Sequence, residues 1–275
     1  MEHVRLTEHV TVLRGTGGGA YPKGNPLRIH GGDTVVQVDS SVDHPADGVD
    51  LVLLSHAHED HLVGLGATAA PVMAHRADAP AVASWEEFCR VTHLPAGQIA
   101  DGVREQYRLD PRPDVTAFDD GTVIDVGGGV RISVVALPGH TAGHSGFYVE
   151  PDGVFFLADV DLSSFGPVYC DEGSELADVR ASLERCAQIE AAVYTTFHHK
   201  GPYTDRDRYL AELAVHADAL EAREKRIREL RQMWPDAGAA ELVGHGVVFK
   251  ADGRRPWYAD FMEEFMIGAH LAEIV

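Results

Sequence analysis

The sequence predicts an α/β protein, and three observations carry that expectation. Short apolar, β-branched runs are cut by glycine-rich turns and alternate with longer stretches whose apolar residues recur at helical spacing. The chain has 275 residues and is 45% hydrophobic, enough to bury a sizeable core. The buried-strand run Val49 to Leu54 is followed at once by Ser55-His56-Ala57-His58-Glu59-Asp60-His61. Such a cluster of ionisable groups directly after an apolar strand is costly unless something binds it.

The elements follow in order. Val4 to Leu13 alternates as a first strand. Gly15 to Asn25 is a glycine-rich loop that fits a flap at a pocket opening, with Tyr21 as a candidate substrate contact. Gly17-Gly18-Gly19 lacks the Gly-Lys-Ser/Thr ending of a phosphate-binding loop. Leu27 to His30 and Thr34 to Asp39 read as a hairpin, and His61 to Ala67 as the opening of a helix. Val72 to Ala74 is a short strand ending near His75, a surface or supporting histidine. Pro80 to Arg108 is mostly helical, with Trp85, Phe88, Val91 and Leu94 on its core face. Thr116 to Asp125 and Gly129 to Leu137 read as strands, as do Gly146 to Val149 and Val154 to Leu157. Asp161 to Gly173 is a loop that leaves Asp159 and fits a pocket wall, with Phe165 and Tyr169 as candidate substrate contacts. Ser174 to Ile189 is a helix with Ser174 as its cap, and Ala192 to Phe197 a strand. Asp205 to Trp234 is one long helix with an apolar stripe through Leu210, Leu213, Ala217, Leu220, Ile227 and Leu230. The run Arg223-Glu224-Lys225-Arg226 reads as its solvated face. Trp257 to Ile274 forms a last helix. These divisions give a main domain over 1–204 and a helical appendage over 205–275 that covers a groove or serves as a homodimer contact.

Charge and cysteine content narrow the partners. The formal net charge is −20, from 23 basic and 43 acidic residues. Nucleic acid is thereby disfavoured, because phosphate binding needs a basic surface. Met1 to Arg14 carries charges throughout, without the apolar core of a signal peptide, and no run reaches membrane-spanning length. Cys89, Cys170 and Cys186 are far apart, without C-x-x-C spacing. A cytoplasmic protein with reduced thiols is expected, acting on a small molecule away from membranes.

Extended backbone lets His56 and His58 point the same way, and the turn brings Asp60 and His61 to the other side of one pocket. That suits two adjacent metal ions, since imidazole and carboxylate both ligate Zn, Fe and Mn. His56, His58, Asp60 and His61 match the H-x-H-x-D-H signature of the metallo-β-lactamase superfamily, and the chain resembles that family at later landmarks too. These are Leu137-Pro138-Gly139-His140-Thr141-Ala142-Gly143-His144, Phe155-Phe156-Leu157-Ala158-Asp159 and Thr195-Thr196-Phe197-His198-His199-Lys200-Gly201-Pro202.

The resemblance implies an αβ/βα four-layer sandwich with two metals at the sheet edge. It places His56, His58 and His140 on one metal, Asp60, His61 and a C-terminal histidine on the other, and Asp159 between them. Aligning Gly201-Pro202 with the family pattern selects His199 for that last position, with His198 supporting. Asp39 and His144 are expected to hold the ligands in place, and Asp60 to take part in proton transfer. Asp161, near Asp159, reads as a turn cap. The implied activity is a dinuclear metal-dependent hydrolase, with Zn expected and Fe or Mn as alternatives, that uses a metal-bound hydroxide on an ester, thioester or lactone. The similarity lies nearer glyoxalase II and lactonases than zinc β-lactamases, which often carry Cys where Asp159 stands. Two alternatives share these motifs: a mononuclear iron oxygenase of the persulfide dioxygenase type, and a non-catalytic metal-binding protein.

Overall fold

A computed structural model describes residues 3–274. One mixed sheet runs in chain order through β1 (His3–Arg5), β2 (Val10–Leu13), β3 (Leu27–His30), β4 (Val35–Val38), β5 (Leu51–Leu53), β6 (Val72–His75) and β7 (Thr116–Phe118). It is antiparallel as far as β4 and parallel from there to β7. The second sheet has β8 (Val123–Asp125), β9 (Arg131–Ala136), β10 (Ser145–Glu150), β11 (Val154–Phe156) and β12 (Val193–Thr195), ordered β12-β11-β10-β9-β8 with β11 and β12 parallel.

Strand alternation builds the layers. Leu53, Val38, Phe147 and Phe156 point inward and join one apolar cluster between the sheets. Their neighbours Val52 and Leu54 point outward, against Phe88 of α2 (Trp85–Val91) and Tyr107 of α3 (Gln98–Tyr107), with α1 (Ala79–Ala83) on the same face. On the far side Phe155 and Leu157 pack on α4 (Leu176–Gln188) and α5 (Arg206–Met233), together with Met266 of α7 (Ala259–Glu273). The result is the four-layer αβ/βα sandwich expected from the sequence. A smaller cluster joins α5, α6 (Ala239–Leu242) and α7 through Ile227, Leu230, Leu242 and Ile267. Asp205 caps α5 by accepting hydrogen bonds from the Asp207 and Arg208 amides. Among the described residues, no helix is long and apolar enough to cross a membrane.

Several elements differ from expectation. Val4 to Leu13 is a two-strand hairpin rather than one strand, because the chain reverses between Arg5 and Val10. Thr116 to Asp125 is two strands in different sheets, divided at Asp119 to Gly121. No helix opens at His61. Its carbonyl, which a helix would need for Leu65 N, accepts instead from Ser40 N at 3.0 Å and Ser40 Oγ at 2.8 Å. Only a short 3₁₀ turn forms, over Leu65–Ala67. Ser174 does not cap α4; its hydroxyl donates to the His140 carbonyl at 2.8 Å. Arg223 is not on a solvated face: it is 3% exposed, on the same buried stripe of α5 as Leu213 and Leu220.

Candidate metal centre

The strand ends of both sheets meet at one edge, and the loops that leave them carry the expected side chains. His56 to His61 follows β5, His140 follows β9, Asp159 follows β11 and His198 follows β12. The carboxyl ends of parallel strands commonly form ligand sites in α/β sheets. The exit from β9 is tight. Gly139 has φ 121°, and a Cβ there would stand 2.5 Å from the Val179 amide nitrogen of α4, so only glycine lets His140 turn inward.

Three groups of potential donors converge, each with its atoms within 4.8 Å of one another: His56, His58 and His140; His56, His61 and Asp159; Asp60, His61 and His198. The outer hydrogen bonds fix which nitrogen faces inward. His140 Nδ1 donates to the Val168 carbonyl at 2.9 Å and His198 Nδ1 to the Gly19 carbonyl at 2.8 Å, turning both Nε2 atoms inward. His61 Nδ1 lies 3.0 Å from Asp39 Oδ2. His58 Nε2 pairs with Asp171 Oδ2 at 2.8 Å, which turns its Nδ1 toward His56 Nε2, 3.0 Å away. Ser55 gives its hydroxyl proton to Asp39 Oδ2 at 2.8 Å, so His56 Nδ1 donates to Ser55 Oγ at 3.0 Å. Such outer partners orient metal-ligating imidazoles.

The inner atoms are short of hydrogen-bond partners. Asp60 Oδ2, His61 Nε2, His140 Nε2 and Asp159 Oδ1 are buried with none. Yet His61 Nε2 lies 3.1 Å from Asp159 Oδ1, and His198 Nε2 3.1 Å from Asp60 Oδ2. Buried polar groups are ordinarily satisfied, so this convergence fits divalent cations better than it fits a structural network.

Electrostatics agree. Burial, and then neighbouring imidazoles, push His56 well below its ordinary range. Burial likewise lowers His140 to about 4 and His144 to about 3, keeping them neutral. Burial also opposes charge on His58 and His198, but Asp171 outweighs it at the first and Asp159 with Asp60 at the second, and both rise to about 9. Burial pushes Asp60 and Asp159 up, but His61 and His198 outweigh it at both and hold them below the usual carboxylate range. The carboxylates draw positive charge into the pocket, a demand that divalent cations also meet.

One expected residue is exchanged. His198, not His199, reaches Asp60 and His61. Phe197 stacks on the His61 ring at 3.7 Å, and the next side chain turns into the pocket. His199 then takes φ 50°, and its side chain is exposed outside the cluster. Asp39 accepts from Ser55 N at 2.7 Å as well as holding His61. His144 accepts from Asp159 N at 3.2 Å through Nε2 and donates through Nδ1 to the Leu137 carbonyl at 3.0 Å. Asp161 caps a turn by accepting from Ser163 N at 2.9 Å.

The aromatic candidates separate. Tyr21 stands at the opening, 45% exposed, donating to Glu59 Oε1 at 2.8 Å with its ring 6.4 Å from that of His198. Tyr169 is corrected: it is 2% exposed, in the cluster under α5 and α7, and donates to His270 Nε2 at 2.9 Å. Phe165 is 38% exposed, its ring lying against Arg223 and Phe249 of the C-terminal segment.

Two carboxylates went unread in the sequence. Asp171 orients His58, and buried Asp78 ties two ligand loops together by accepting from Ala57 N, Thr141 Oγ1 and Gly143 N at 3.1, 2.7 and 2.7 Å. Neither sits in a motif, and no local signal marks them.

Fold and site together define a metallo-β-lactamase-type protein. Residues 29–198 match the family described as Metallo-beta-lactamase superfamily, and the chain belongs to it. A hydroxyacylglutathione hydrolase of Methylobacillus flagellatus is 29% identical over 231 residues, 79% of this chain and 78% of that protein. One of Acidiphilium cryptum is 32% identical over 198 residues, 70% of this chain and 66% of that protein. Among solved structures, a metallo-beta-lactamase family protein from Thermus thermophilus superposes with TM-score 0.68 at 24% identity, covering 98% of this chain and 94% of that one. A beta-lactamase domain protein from Burkholderia ambifaria gives 0.67 at 17% identity, covering 99% and 87%. At these identities the two structures bear on the fold alone.

Proposed function

We propose that this protein is a dinuclear metal-dependent hydrolase of small-molecule esters, thioesters or lactones, with S-acyl thiols as the first class to test. The observation that carries the reading is the set of buried inner atoms on Asp60, His61, His140 and Asp159 that have no hydrogen-bond partner and face one another. Similarity to hydroxyacylglutathione hydrolases supports the thioester choice.

In this reading His56, His58 and His140 would hold one cation and Asp60, His61 and His198 the other, with Asp159 available to both. A carboxylate can do that because it offers two oxygens. The donor set suits zinc first, with iron and manganese as competitors. Bound divalent ions supply acidified water and polarise a carbonyl. The residues themselves orient and exclude. Asp39, Asp171 and the Gly19 and Val168 carbonyls fix the rings, and Asp60 would take a proton from the attacking water at a carboxylate oxygen as the carbon–oxygen bond forms and return it to the thiolate or alkoxide released when the acyl bond breaks. Tyr21 borders the substrate's path, its hydroxyl tied to Glu59.

Protein stripped with chelator should lose about 10²-fold or more of its thioesterase rate and regain it with zinc. If zinc-loaded protein hydrolyses no thioester, ester or lactone, or if iron-loaded protein consumes oxygen with a persulfide instead, the proposal fails.

A further inference from the structure

Arg223 belongs to α5, far along the chain from every candidate ligand, yet it is 3% exposed. Its fork is spent on the loop that leaves Asp159. Nη1 donates to the Pro167 carbonyl at 2.6 Å and to Tyr169 Oη at 3.2 Å, and Nη2 donates to the Phe165 carbonyl at 2.6 Å. The guanidinium also lies over the rings of Phe165 and Tyr169, at 5.4 and 5.6 Å. Loop and helix are in close contact, since a Cβ on Gly166 would stand 2.2 Å from that of Ala219. A guanidinium buried against neutral acceptors loses hydration without an ion pair in return. Its return here is geometric, because a rigid planar fork fixes several acceptors at once.

The residues that follow on this loop orient two of the three rings in one half of the metal pocket, His58 and His140; the third, His56, is held through Ser55. The Val168 carbonyl, next to Pro167, takes the His140 Nδ1 proton at 2.9 Å, and Asp171 holds His58 Nε2 at 2.8 Å. The other half hangs on different parts of the chain: Asp39 after β4 for His61, and Gly19 for His198. Tyr169 extends the link to α7 by donating to His270 Nε2 at 2.9 Å.

We propose that Arg223 is a positioning residue for the His56, His58 and His140 half of the pocket, and that α5 thereby sets the affinity of that half alone. The inference rests on the two-cation reading above. It goes beyond that reading by separating the two positions and giving the C-terminal helix a role in one of them.

The test is calorimetric titration of chelator-stripped protein with Zn²⁺, with helix content followed by circular dichroism. Wild type should bind two ions. Arg223→Met should weaken one of the two binding steps about 10- to 100-fold, the usual effect of losing an outer hydrogen-bond partner, and leave the other step near its wild-type value. Arg223→Lys, which keeps the charge but not the fork, should fall between. Arg226→Met serves as the control. It removes the α5 bonds to the His245 carbonyl, at 3.0 and 2.9 Å, without touching the loop, so both steps should stay at wild-type strength. If Arg223→Met folds and binds both ions as wild type does, the inference is wrong. It is equally wrong if both steps weaken together, which would mark a general structural prop. Should Arg223→Met not fold, Arg223→Lys decides by the same criteria. Wild-type protein that binds no zinc overturns the metal reading itself, and the inference goes with it.

Discussion

The two halves of the candidate centre are built from similar rings but held in different ways. Around His58 and His140, orientation comes from the loop after β11, through Val168 and Asp171, and so from the helices that clamp that loop, while His56 leans on Asp39 through the Ser55 hydroxyl. Around Asp60, His61 and His198 it comes from the N-terminal part of the chain, through Asp39 and Gly19. Asp159 faces both groups, lying 3.1 Å from His61 Nε2, with 3.6 Å to both His140 Nε2 and His198 Nε2. On the two-cation proposal, the C-terminal helices would act on one position alone, while Asp39 would bear chiefly on the other.

The strongest way to break this comparison is to remove what the halves share. Asp159→Ala should take metal binding at both positions and turnover with it, by about 10³-fold or more. Metal analysis beside a thioester assay would reveal an unaffected protein. Next, His198→Ala should empty the second position while His199→Ala leaves rate and metal content near wild type. The reverse order would restore the assignment that the Gly201-Pro202 alignment suggests. The comparison is sharpened by two milder changes. Asp171→Asn should weaken the first position and Asp39→Asn the second, each by about 10- to 100-fold in affinity, with a smaller loss at the first from Asp39→Asn because Ser55 also ties Asp39 to His56, and equal losses at both positions from either variant would erase the distinction. The smallest effect is expected at the opening. Tyr21→Phe removes the hydroxyl bond to Glu59 and should change KM a few-fold with kcat and metal content unchanged, as steady-state kinetics would show.

The contiguous part of this site is written in the sequence. His56 to His61 is legible because unlike residues crowd into one turn after an apolar strand, and His140 and Asp159 through the motifs by which the chain resembles the metallo-β-lactamase family. The choice between His198 and His199 is not, since it depends on one left-handed φ at the strand exit. The supports are less visible still. Gly19 and Val168 act through backbone carbonyls, which carry no side-chain signature. Asp78 and Asp171 are single carboxylates whose partners come from distant loops. The stripe on α5 was readable from its leucines, but Arg223 on the same stripe reads as solvated until the loop that accepts its hydrogen bonds is in place. In the fold, the break in Thr116 to Asp125 was available in Asp119-Asp120-Gly121, a turn signal inside an otherwise strand-like run. The absent helix at His61 was not, because Ser40 takes the carbonyl from across the fold.

The most direct test of the two-position account is the metal content of protein purified without chelator and loaded with zinc. Close to two ions per chain, with Asp171→Asn and Asp39→Asn each retaining one tightly bound ion, is the predicted result. One ion in the wild type, or the same residual ion in both variants, would contradict it.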